Sequence, residues 1–150
     1  MTYIPPSTIS GLMLTGKVKN ADTSRTSTAT AVDDPDLVVA LKPNTRYLVT
    51  ADLIFTSSLL AGFKTGWGLP AGATMQFVNV GQNDGLVKNL TDLLGLSVTT
   101  TNPNYVFLRG IVKTGSTAGS LSVKWSQNVA SAVSNAVLKA DSSVTVIEFV

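Results

Sequence analysis

A chain of 150 residues with 44% hydrophobic and only 13% charged residues, at a formal charge of +2, has the composition of one folded domain and not of a disordered segment. It holds neither cysteine nor histidine, which excludes disulfide frameworks, thiol nucleophiles, histidine metal sites and the usual acid–base residue near neutral pH. Its 11 basic residues are scattered singly among 9 acidic ones, whereas a nucleic-acid surface gathers cations along one stripe.

No run approaches the roughly 18 apolar residues of a membrane helix, and no basic stretch precedes an apolar one at the N-terminus. The sequence therefore predicts a soluble chain without an export signal, acting on neither nucleic acid nor membrane and using no cofactor. Its 19 threonines, 15 serines and 12 glycines favour strands and turns over helices.

In chain order, Tyr3, Ile4, Pro5 and Pro6 cannot continue a sheet, because proline lacks the donor a ladder needs. Gly11 to Val18 is a short strand-like run, and Asn20 to Thr30 is polar. Residues 1–30 thus read as an arm or edge segment and residues 31–150 as the domain proper. Asp33, Asp34 and Asp36 surround Pro35, a pattern that predicts a turn whose carboxylates bond nearby amides; it lacks the ligand spacing and central glycine of a calcium loop.

From Arg46 to Thr56 the period is two: Tyr47, Val49, Ala51, Leu53 and Phe55 alternate with Leu48, Thr50, Asp52, Ile54 and Thr56. Phe63 to Leu69 and Met75 to Val80 alternate likewise. Between Asp84 and Leu96, Leu86, Leu90, Leu93 and Leu94 lie at helical spacing ahead of Gly95, which predicts a short helix or turn. Tyr105 to Val112 and Leu121 to Gln127 flank a segment containing Gly115 and Gly119, and this predicts a hairpin. Ser143 to Val150 is apolar on both faces, as expected for a strand inside a sheet or against another subunit. The class is all-β, a single-domain jelly roll or β-sandwich.

Little in this sequence points to catalysis. Serines are plentiful, but no nucleophile elbow or Ser-x-x-Lys motif accompanies them. Asp52, Asp141 and Glu148 are conceivable carboxylates for glycoside hydrolysis, with nothing to pair them, and Glu148 reads as half of an ion pair with a lysine or arginine. Trp67 and Trp125 occupy the apolar faces of their strands, which favours packing in a core or subunit interface over stacking on a sugar. Asn89-Leu-Thr91 is a glycosylation triplet, a pattern short enough to arise by chance.

The last third carries a recognisable series: Arg109-Gly-Ile-Val, Gly115 to Gly119, Leu121-Ser-Val-Lys-Trp-Ser-Gln-Asn128, and Val137-Leu-Lys-Ala-Asp-Ser-Ser143 leading into Val144 to Phe149. Together with Asp34-Pro-Asp-Leu37, Pro43-Asn-Thr-Arg-Tyr47 and the Gly62, Trp67, Pro70 series, it resembles the tailed-bacteriophage virion proteins with a tumour-necrosis-factor-like jelly roll. Ser126 stands where that group has alanine, and Asp141-Ser142 where it has Gly-Ser. The resemblance, over about residues 30–150, implies a homotrimer of jelly rolls serving as a capsid decoration protein, a head fibre or a fibre tip.

A chain of this length without a fibre shaft suits decoration of the capsid, with the major capsid protein as partner, synthesis in the host cytoplasm and a final location on the virion surface. The alternative is a receptor- or carbohydrate-binding fibre tip that meets a host glycan. Tyr3, Ile4, Pro5 and Pro6 are then the expected capsid-contacting arm, and Tyr105, Phe107, Trp125 and Phe149 the expected trimer interface, since two-sided apolar strands expose more hydrophobic surface than one sandwich core consumes.

Overall fold

The computed structural model describes residues 13–80, 88–89, 93–96 and 103–149, and every regular element among them is a strand. In chain order these are β1 (Met13–Val18), β2 (Thr23–Arg25), β3 (Val32–Leu41), β4 (Arg46–Ser57), β5 (Phe63–Gly68) and β6 (Thr74–Val80). They are followed by β7 (Lys88–Asn89), β8 (Leu94–Leu96), β9 (Asn104–Lys113), β10 (Gly119–Ser126), β11 (Ala136–Leu138) and β12 (Ser143–Phe149).

Two antiparallel sheets stack as a sandwich. The larger runs β1-β12-β4-β9-β6-β7, with β11 alongside the far end of β4 and β2 alongside β11; the smaller runs β3-β10-β5-β8. The period-two strands explain the stacking, because each presents one continuous apolar face. Val49, Ala51, Leu53 and Phe55 of β4, Leu108 and Val112 of β9, and Leu121, Val123 and Trp125 of β10 are all buried in one core. Phe63 stacks on Phe55 with centroids 4.2 Å apart and on Trp125 at 5.6 Å.

The predicted hairpin does not form. β9 is bonded along both edges, to β4 and β6, while β10 is bonded to β3 and β5 in the opposite sheet. The glycine-containing link crosses between the layers, tied down by Thr114, whose hydroxyl donates to the Lys42 carbonyl at 2.7 Å and accepts from the Thr45 amide at 2.8 Å. Two strands facing the same core from opposite sheets show the same alternation as a hairpin, so periodicity alone does not separate them.

The predicted helix is also corrected where it falls within the described residues. Leu94 and Leu96 point inward from β8, which pairs with β5 and places Gly95 opposite Lys64. Leu86 and Leu90 lie outside the described residues.

Residues 1–30 are, from Met13 onward, edge structure. β1 pairs with β12 and β2 with β11, both on the larger sheet. Tyr3, Ile4, Pro5 and Pro6 lie outside the described residues.

The acidic cluster is not a surface turn. It lies in β3 beside an irregularity, where Ser122 pairs with Val38 but Lys124 with Asp33. The local bond expected of an aspartate does form, from the Asp36 amide to Asp34 Oδ1 at 3.0 Å. Asp34 itself is fully buried and faces the fully buried Lys19, whose Nζ lies 2.9 Å from Asp34 Oδ2 and 2.9 Å from Asp36 Oδ2. Trp125 Nε1 donates to the same Asp34 oxygen at 3.0 Å. Arg25 lies 4.0 Å above the Trp125 ring and donates to the carbonyls of Val32, Asp33 and Trp125. The segment between β1 and β3 is thereby clipped onto the sandwich by charge-assisted bonds and a cation–π contact.

Candidate interaction surface

The two outer faces of the sandwich differ in chemistry. On the smaller sheet the outward positions include Ser120 and Lys124 of β10, Lys64, Gly66 and Gly68 of β5, and Val38 and Ala40 of β3, with Ser122 packed down among them. Ser122 Oγ donates to Asp33 Oδ1 at 2.6 Å. A Cβ at Gly68 would stand 2.3 Å from Ser122 Oγ, so these polar groups close over their own sheet.

On the larger sheet, antiparallel registers carry rows of side chains across the strands. One row is Leu14, Ile147, Leu48 and Ile111, from β1, β12, β4 and β9. A second sets Val18, Ser143, Asp52, Phe107 and Val80 side by side. A third runs Phe149, Arg46, Lys113 and Thr74, and Tyr105 stands opposite Ile54. Leu14 is 65% exposed, Tyr105 61%, Val18 55%, Phe149 47% and Ile111 46%. Inward positions on the same strands are already buried, so these side chains add a second set of large apolar groups on the outer side, and exposed apolar groups gathered in this way mark an interaction surface.

Polar groups stand between the apolar ones: Thr145, Thr50 and Arg109 form a row of their own, and Arg46, Asp52 and Lys113 lie in the others. The Tyr105 hydroxyl donates to Asp52 Oδ1, and this bond holds the phenol above its usual pKa because ionisation would destroy it beside a carboxylate. Arg109 is exposed opposite Thr50.

Three of the sequence-derived interface residues, Tyr105, Phe107 and Phe149, lie on this face. Trp125 does not: it is fully buried between Phe63 and Arg25 and has no surface to offer a second subunit. Trp67 is likewise internal, edge-on to Phe77 at 6.3 Å. The carboxylates conceivable for hydrolysis are not brought together. Asp52 lies on the outer face, whereas Glu148 shares the inward register of Tyr47 and accepts from Lys42 Nζ at 2.8 Å, the ion pair expected of it. Asp141 sits in a turn with φ 66°. Among the described residues no three acidic side chains gather into a metal-binding group.

Leu14, Val18, Leu48, Ile111 and Ile147 were not singled out from the sequence. Their signal was the second apolar face of Arg46 to Thr56 and of Ser143 to Val150, but Leu14 and Val18 were hidden in a segment whose pairing could not be read.

No family profile and no curated protein matches the chain in sequence. Solved structures do. The Eiger tumour necrosis factor of S. frugiperda superposes over 93% of this chain and 94% of its own, at 10% identity and a TM-score of 0.50. The fold is a tumour-necrosis-factor-like jelly roll. The tripod of the bacteriophage Tuc2009 baseplate matches 97% of this chain and 68% of its own at 7% identity, with a TM-score of 0.43. Infectious bursal disease virus, Gx strain, matches over 99% of this chain and 42% of its own at 12% identity, with a TM-score of 0.31. In this jelly roll the sheet that carries the exposed apolar groups runs β1-β12-β4-β9, and β6 and β7 extend it past β9.

Proposed function

We propose that the protein is a non-enzymatic structural component of a phage particle, a homotrimer that decorates the capsid and stabilises the head. The observation that carries this reading is the exposed apolar outer face of the larger sheet, set against a polar, self-closed face on the smaller one. Packing Leu14, Leu48, Ile147, Phe107 and Phe149 against neighbouring copies removes that surface from water, and the hydrophobic gain grows with the area covered. The resemblance to phage virion jelly rolls supports both the trimer and its place on the particle. Asp52 and Glu148 face opposite sides of one sheet and so share no site.

The mechanism is mechanical. A trimer spanning neighbouring major capsid subunits binds the expanded lattice better than the dissociated subunits and stabilises it by mass action. The capsid contact is assigned to the N-terminal segment containing Tyr3, Ile4, Pro5 and Pro6. Because β1 and β2 belong to the sandwich, the segment to remove is residues 2–12, which spares Lys19 and Arg25.

Light scattering after size exclusion tests the assembly. A mass of about 47 kDa, three times 15.7 kDa, is expected, and a monomer overturns it. Co-sedimentation with purified heads of the same phage tests the location: the full trimer pellets with them, and a variant lacking residues 2–12 stays in the supernatant as a trimer. Pelleting of that variant overturns the assignment of the arm.

A further inference from the structure

At one margin of the larger sheet's outer face, four strands build a hollow of about 420 Å³ from Arg46, Thr74, Met75, Gln76, Asn89, Ile111 and Lys113. The registers explain its shape. Arg46, Lys113 and Thr74 stand opposite one another on β4, β9 and β6, and Ile111, Gln76 and Asn89 form the next row on β9, β6 and β7.

Two features of the hollow are chemically unusual. Arg46 and Lys113 are directly opposed cations on adjacent antiparallel strands, a pairing that is unfavourable unless an anion neutralises it. Neither has an acidic partner among the described residues. Among the described residues that line the hollow, the remaining polar side chains are uncharged, including the Gln76 amide and the Thr74 hydroxyl, and the exposed Ile111 stands beside them.

We propose that this hollow binds the carboxylate-bearing sugar of an acidic polysaccharide. The guanidinium of Arg46 presents two parallel donors that match a carboxylate, and Lys113 adds a second charge from the facing strand. The Gln76 amide and the Thr74 hydroxyl both donate and accept, as sugar hydroxyls require, and the exposed Ile111 side chain provides an apolar surface for the C–H face of the ring. The volume lies within the range of small-ligand sites, and the open side lets a polymer chain pass. The site lies within one chain.

The test is calorimetric titration of the purified protein with glucuronate, alongside glucose as a neutral sugar and acetate as a bare carboxylate. Glucuronate is expected to bind at least fivefold more tightly than either. Arg46→Gln and Lys113→Gln are each expected to weaken it at least tenfold, whereas Lys42→Gln, outside the hollow, leaves it unchanged. Thermal melts of both variants no lower than wild type, as removal of a like-charge contact implies, separate loss of the site from loss of the fold. Glucuronate binding equal to acetate reduces the hollow to a general anion site and overturns the proposal, as does binding equal to glucose or binding that survives both variants.

Discussion

Lys19 Nζ sits 2.9 Å from Asp34 Oδ2, with both side chains wholly removed from solvent. The lysine lies just beyond β1 and the aspartate in β3, so the contact joins a segment at the margin of the large sheet to the small sheet. Burying two charges costs several kcal/mol each and is recovered only while both partners and their accessory bonds are present. Here Trp125 Nε1, the Asp36 amide and the Asp36 carboxylate complete the set.

Removing one partner therefore strands the other. Lys19→Met is expected to destabilise the fold by about 3–5 kcal/mol, read from the midpoint of denaturant unfolding. Lys19→Met with Asp34→Asn is expected to cost less than the sum of the single changes, because no fully buried carboxylate is left bare. Additive costs would show that the pair does not act as a unit.

The apolar outer face predicts where assembly is vulnerable. Ile147→Glu and Leu14→Glu each place a charge on a surface that the trimer buries, and the solution mass should fall from about 47 kDa to 15.7 kDa with the circular dichroism of the strands retained. Ala40→Glu, on the outer face of the smaller sheet, should leave the mass unchanged. An unaltered mass in both face variants would place the subunit contact elsewhere.

Gly110 lies in β9 opposite Val49 on one side and Phe77 on the other. A Cβ there would stand 2.6 Å from Met75 Cε, 2.7 Å from the Gln76 carbonyl oxygen and 2.8 Å from Phe77 Cβ. Since the carbonyl belongs to the sheet backbone and cannot swing away, Gly110→Ala is expected to cost about 1–3 kcal/mol by overpacking. Thermal melting gives the value, and a neutral outcome would mean that β6 can shift relative to β9.

Tyr105 donates its phenolic proton to Asp52, so its pKa is raised above the usual 10.0. The bond's contribution is complete below the unfolded pKa and is lost as pH rises through the higher folded value. Alkaline titration followed by phenolate absorbance should show a late-ionising component from Tyr105. Tyr105→Phe should remove that late component, and Asp52→Asn should move it down in pH. A late component that persists in Tyr105→Phe would assign it to another tyrosine.

The sequence by itself determined the class, most of the longer strands and much of the core. Period two from Arg46 to Thr56 and from Leu121 to Trp125 is a local consequence of the pleat, so composition and alternation suffice to read it. The excess of apolar surface on Ser143 to Val150 was also legible, and with it the surface that carries the proposed function.

Only the tertiary structure decided which strands pair, which cations find partners and which aromatics reach the surface. β9 and β10 look like a hairpin because alternation records the side facing the core and not the neighbour along the edge. Asp34 looks like a turn residue because its partner, Lys19, is 15 positions away with nothing local to announce it. Trp125 looks suited to an interface until Arg25, 100 residues earlier, is seen to cover it. These outcomes depend on long-range contacts, whose free energy exists only once the two sheets have closed on each other.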